Sequence, residues 1–127
     1  VNTLLEPGIM NILTNDAGIT GIVGTRIYSS HLPEECNYPA LLFFEVSSIE
    51  MPEASVARPR FQFSCYAETE IEAKQLSDAV IAALKNVSGV KATISIPKTI
   101  YLGRNRIHDA EMDLWNFATD FIITYKE

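Results

Sequence analysis

Cysteine is scarce: Cys36 and Cys65 are the only two in 127 residues, too few and too far apart for a disulfide framework. Histidine is equally sparse. His31 and His108 lie far apart, and with no Cys-x-x-Cys or His-Glu-x-x-His pattern a zinc site has no support. No apolar run approaches the roughly 18 residues that a membrane-spanning helix needs. The N-terminus has neither the basic flank nor the long apolar stretch of a signal peptide, so a soluble intracellular product is expected. Basic charge is short as well. Ten Lys and Arg against 16 Asp and Glu leave a net charge of −6, which argues against sequence-independent nucleic-acid binding through a basic face. A Gly-x-Ser-x-Gly elbow is missing. Gly18, Gly21 and Gly24 are evenly spaced, but Gly24 is followed by Thr25-Arg26 rather than the Lys-Ser/Thr of a phosphate loop. They read as a tight helical corner.

What is present is ordinary folding material, 47% hydrophobic and 20% charged, in a chain the length of one domain. A single domain over 1–127 is expected, with no linker, repeat or low-complexity segment. The clearest signal runs from Arg58 to Val87. Phe61, Phe63, Cys65 and Ala67 alternate with Arg60, Gln62, Ser64 and Tyr66, the period of a half-buried strand. Cys65 therefore reads as a small buried hydrophobe, while Cys36, in a polar loop, reads as a free thiol. Thr69 precedes Glu72 by three residues, the spacing of a capping box. Ala73, Leu76, Val80, Ala83, Leu84 and Val87 then recur at helical spacing, predicting a helix over about 70–86 closed by Ser88-Gly89.

Around this unit the pattern predicts a short helix over 3–13 interrupted by Pro7-Gly8, and a second, capped by Asn15 or Asp16, running to Val23. Gly24 fits a helix-ending left-handed position, and a polar loop spans Ser29 to Pro39. The apolar run from Ala40 to Val46 has strand length, although a buried helix shares that pattern. Residues 50–57 read as an exposed hairpin loop. Val90, Ala92, Ile94 and Ile96 alternate as a strand ended by Pro97, and Gly103 to Arg106 reads as a turn. A strand from about Ile107 then leads to a final one with Phe117, Thr119, Phe121, Ile123 and Tyr125 on one face. The expected fold class is α+β, a mostly antiparallel sheet of about five strands. One long helix packs on one face, with short N-terminal helices beside it.

Three groups of residues invite functional readings. Asp109, Glu111 and Asp113, spaced by two in a strand, would project from one face about 7 Å apart. Such a stripe suits Mg²⁺, Ca²⁺ or acid–base work. It equally suits the solvent face of an edge strand, where like charges discourage wrong pairing, and that structural reading is favoured. Arg58/Arg60 and Arg104/Arg106 are small basic spots in an acidic chain. They read as solvated charges, or as partners for acidic faces of a neighbouring copy. His108, on the apolar side of its strand, reads as a core or interface histidine. Catalytic residues, cofactors and metal ligands are expected to be absent.

Taken together in order and spacing, several segments resemble phage and prophage tail completion, or tail terminator, proteins. They are Val23-Gly24-Thr25-Arg26-Ile27-Tyr28, Pro39 with the apolar strand after it, Arg60 to Ala67, and Glu68-Thr69 entering the Ala-rich helix. Asp113-Leu114-Trp115 and Asp120-Phe121-Ile122-Ile123-Thr124-Tyr125 complete the set. The resemblance implies a structural virion protein of a long-tailed phage, present in host cytoplasm during assembly. It implies a homohexameric ring that ends the tail tube and joins it to the head. The implied partners are further copies of itself, the tail tube protein and the head-completion or connector protein. Genomic DNA would pass through without specific binding, and no membrane is involved. On this reading Asp109, Glu111, Asp113, Glu50, Glu53, Arg58, Arg60, Arg104 and Arg106 are candidates for the lumen or a subunit interface. Competing readings are another neck or head-closure subunit, a small α+β enzyme using the carboxylate stripe with a metal, and a monomeric ligand-binding module.

Overall fold

The computed structural model describes residues 5–47, 50–51, 56–85, 87, 89–91 and 94–126. The fold is α+β, as the pattern predicts. Its centre is strand β5 (Arg60–Ala67) entering helix α3 (Glu70–Lys85). Phe61, Phe63, Cys65 and Ala67 are all buried. The capping box forms in part: Glu72 N donates to Thr69 Oγ1 (3.2 Å), and the Thr69 hydroxyl donates to Glu72 Oε1 (3.1 Å). Glu70 and Glu72 occupy the first turn of α3 and Lys85 the last, each favourable to the helix dipole. Ala73, Leu76, Ser77, Val80 and Leu84 form the buried stripe.

Helices α1 (Leu5–Thr14) and α2 (Ala17–Val23) join the same core through Leu5, Ile9, Leu13, Ile19 and Val23. Pro7 does not interrupt α1. It sits in the first turn, where its missing N–H has no helical acceptor to lose. Asp16, not Asn15, caps α2, its side chain accepting from Ile19 N at 3.0 Å. A Cβ on Gly18 would meet Asp16 Oδ1 at 3.1 Å, so this position favours a residue without a side chain.

The helices cover one face of an eight-stranded sheet. Strands β1 (Ile27–Ser29) and β2 (Ala40–Ser47) pair in parallel, and every other pairing is antiparallel. The parallel β1 is an addition to the predicted loop. Arg26, just before it, ties the loop's end to β1 by donating from Nε to Pro39 O at 2.8 Å. Strand β8 (Leu114–Lys126) is the hub. Along one edge it pairs with β5 and with the short β4 (Val56–Ala57), which forms a hairpin ladder with β3 (Glu50–Met51). Its other edge is taken throughout by β7 (Ile94–Asp109), beside which lies β6 (Gly89–Lys91). Phe117, Thr119, Phe121, Ile123 and Tyr125 of β8 all face the core.

Two expected breaks are absorbed into β7. Pro97 does not end the strand, because the register shifts between Ser95 and Lys98 and spares the proline a ladder N–H. Gly103 to Arg106 is not a turn. Gly103, at φ 130°, sits at a second irregularity between Tyr101 and Gly103, beyond which pairing with β8 resumes. The chain reverses later, at residues 110–113.

Candidate assembly surfaces

The acidic stripe is not a stripe. β7 ends at Asp109, and Glu111 and Asp113 belong to the turn that leads into β8. The Asp109 carboxylate folds back to accept the N–H groups of Glu111 (3.0 Å) and Met112 (3.2 Å), a local bond that competes with strand extension. Asp113 takes a positive φ of 50°. All three acids are exposed, but they do not share one strand face. Asp109→Ala should therefore cost about 1 kcal/mol through the lost turn bonds. Glu111→Ala should stay within about 0.5 kcal/mol of wild type. Urea midpoints of the two variants measure the difference.

His108 is not in the core. Its ring stacks on Trp115 at 4.3 Å between centroids, and Nε2 lies 3.1 Å from Asp113 Oδ1. The β7–β8 register places it opposite Trp115, next to the turn that joins the two strands. An open pocket lies alongside, lined by Tyr38, Glu68, Met112, Asp113 and Leu114. Among the described residues no group of three or more His, Cys, Asp or Glu side chains is placed to hold a metal ion.

Three of the four candidate arginines have partners within the chain. Arg104 and Arg106 lie on the helix side of β7, opposite Thr119 and Phe117. Arg104 Nη1 donates to Asp78 Oδ1 (2.6 Å) and to the buried Ser77 hydroxyl (3.2 Å). Arg106 Nη1 donates to Glu70 Oε1 at 2.8 Å. Their guanidiniums also lie over the Phe117 and Trp115 rings, at 5.4 and 5.6 Å. The two pairs fasten the outer strand to α3. Arg106–Glu70 is exposed on both sides, so its contribution is at most about 1 kcal/mol. Arg60 pairs with Asp120 across β5 and β8. Arg58 is half-buried just before β5. Of the remaining candidates, Glu53 lies outside the described residues, and Glu50 is described only as backbone in β3.

The sheet face away from the helices holds features the sequence did not signal. Ser64 and Ala118 are buried there between larger neighbours. Asp120 is 9% exposed. Its Oδ1 and the Oδ1 of Asn116 are buried with no hydrogen-bond partner among the described residues. Alternation identifies these residues as polar and outward-facing, but nothing local reveals that their neighbours enclose them.

Neither cysteine shows the setting of a nucleophile. Burial pushes the Cys65 thiol far up, with the Thr119 hydroxyl pulling weakly the other way, so it stays protonated. Cys36 Sγ lies 3.2 Å from Asn37 O in the loop before β2. The nearby phenols of Tyr28 and Tyr38 are both pushed up, by burial first and then by the negative charge that Cys36 would carry.

Arg104 and Arg106 hold β7 to α3, and Arg60 joins β5 to β8 through Asp120, beneath a sheet covered by helices on one face. The same fold occurs in a solved structure described as the virion of a native gene transfer agent particle. There it superposes with a TM-score of 0.82 at 18% identity, over 97% of this chain and 95% of that one. The family described as tail completion protein gp17 matches residues 7–115, and the chain belongs to that family. Membership marks it as a structural tail protein. No curated protein matches the chain. Among the described residues no helix is long and apolar enough to cross a membrane.

Proposed function

We propose that copies of this chain close into a hexameric ring at the head-proximal end of a tail. There the ring ends growth of the tail tube and offers a docking face to the head connector. The family match over residues 7–115 carries this reading. The sheet face away from the helices and the sheet edges that have no strand beside them among the described residues support it, because a closed ring needs two unlike surfaces on each subunit. The net charge of −6 per chain fits a channel through which genomic DNA slides without specific binding. In this reading the acidic turn (Asp109, Glu111, Asp113), Glu50 and Glu53 face the lumen or a subunit boundary.

Mass measured across a concentration series, with negative-stain images of the heaviest species, tests the ring. A particle of six copies with a central hole is the expected result. Purified tails incubated with the protein extend the test, and binding confined to one tail end is expected. A chain that is monomeric alone and does not associate with tails overturns the proposal.

A further inference from the structure

Among the described residues both lateral edges of the sheet are open in part, and they differ in a way that makes them complementary. On one side, β6 covers β7 only at Ile94 to Ile96. From Lys98 to Asp109 the outer edge of β7 has no strand beside it among the described residues. A long edge is a template for another chain, and proteins that stay monomeric blunt such edges with charge or cover them. This one carries Lys98, Arg104 and Arg106 but also exposes Tyr101 (36%), Leu102 (45%) and Ile107 (48%).

On the other side, β1 pairs with β2 only at Leu41 to Phe43. Phe44 to Ser47 therefore has no strand partner on that side among the described residues, and Val46 is 48% exposed. Val46 sits at the register shift between Glu45 and Ser47, beyond which Ser47 lies opposite Arg60. Phe44 follows Phe43, which faces the core, and so belongs to the helix-free face. Ile107, opposite Asn116, belongs to the same face.

Strand directions settle how two copies would meet. β1 runs parallel to β2, and β2 to β5, β5 to β8 and β8 to β7 are each antiparallel. β7 therefore runs opposite to β1 and β2. Copies set side by side with the same face outward bring β7 of one against β1–β2 of the next as an antiparallel pair. Same-face residues then become neighbours, and the register decides whether Ile100 or Ile107 comes beside Phe44.

Charge favours the same match. Residues 94–109 carry Lys98, Arg104 and Arg106 against the single acid Asp109, whereas residues 27–47 carry Glu34, Glu35 and Glu45 and no Lys or Arg. Arg104 and Arg106 already hold α3, but Arg106 keeps 59% of its side chain exposed and can accept a second carboxylate.

We propose that the outer edge of β7 adds, main chain to main chain, to the β1–β2 edge of a second copy of this chain, making one sheet continuous between subunits. This rests on the ring reading and specifies its contact. The pairing is heterologous, so it leaves a free edge at each end until the ring closes.

Cysteine cross-linking of the full chain tests it. In a Cys36→Ser background, Val46→Cys is combined in turn with Ile100→Cys, Leu102→Cys and Ile107→Cys. At least one pair should give a ladder of covalent oligomers under mild oxidation, while each single-cysteine variant should not. Dimers formed by a β7 cysteine alone would mean that β7 pairs with β7, overturning the proposal. Rings seen by electron microscopy without cross-linked species would also overturn it, while leaving the ring reading intact. A chain monomeric to millimolar concentration overturns the edge pairing, and tail binding then judges the ring separately. As a second measurement, Ile107→Lys should keep the wild-type circular dichroism and melting temperature but weaken assembly about tenfold or more. Unchanged assembly counts against the proposal.

Discussion

Phe63→Ala is expected to lower folding stability by about 3–5 kcal/mol, the range for removing a large aromatic from a packed core. Phe63 is fully buried on β5 and joins three rings. It stacks near Phe43 (5.9 Å between centroids, 24°), lies 6.4 Å from Phe61 and meets Phe121 edge-on at 6.0 Å and 86°. Through those contacts one side chain bridges β2, β5 and β8. Truncation loses the transfer energy of the ring and leaves a cavity that neighbours in paired strands can close only in part. Phe63→Leu keeps more of the volume, and a cost below about 3 kcal/mol is expected for it. Urea denaturation followed by circular dichroism measures both. Equal, small losses would show that this part of the core collapses without cost, contrary to the packing described.

The second large effect concerns polar groups at the helix–sheet interface. Ser77 on α3 and Thr119 on β8 are both fully buried, and their hydroxyls lie 2.8 Å apart. Thr119 Oγ1 also donates to Phe117 O (3.3 Å), and Ser77 Oγ also receives Arg104 (3.2 Å). Thr119→Val and Ser77→Ala should each destabilise by about 1–3 kcal/mol, because each leaves a buried hydroxyl with fewer partners. The double variant should cost less than the two losses added together, by about 0.5 kcal/mol or more, since it removes both sides of the bond. Strict additivity in a double-mutant cycle would mean the two hydroxyls are held independently. Arg104→Ala probes the same node from outside. It removes the bonds to Ser77 and Asp78 while leaving the Ser77–Thr119 bond in place.

The β5–α3 unit was readable from residue order alone because its signals are local. Alternation over Arg60 to Ala67 assigns faces, and Thr69 with Glu72 starts the helix; the structure reproduces both. The alternating final strand was legible for the same reason. The β7–β8 turn was misplaced because Gly103 with polar neighbours is the usual sign of a reversal. Here β8 holds the strand on both sides of Gly103, and the glycine's positive φ absorbs an irregularity in the ladder. Moving the reversal to residues 110–113 removed the acidic stripe from a strand and dissolved its regular spacing.

The candidate arginines show the other limit. Their charge and spacing are visible in the sequence, but their partners Glu70, Asp78 and Asp120 are set by the register of β7 on β8 and by where α3 crosses the sheet. No rule of spacing along the chain reaches from Arg106 to Glu70.

By itself, the sequence determined the α+β class, the strand–helix centre, the inward faces of β5 and β8, and a likeness to tail completion proteins. The first three follow from periodicity and capping, which act over a few residues, and the likeness rests on the order and spacing of several segments. Tertiary structure alone decided the strand order, the two irregularities in β7 and the arginine partners. Each depends on which strand lies beside which, and that is settled by packing between segments far apart in the chain.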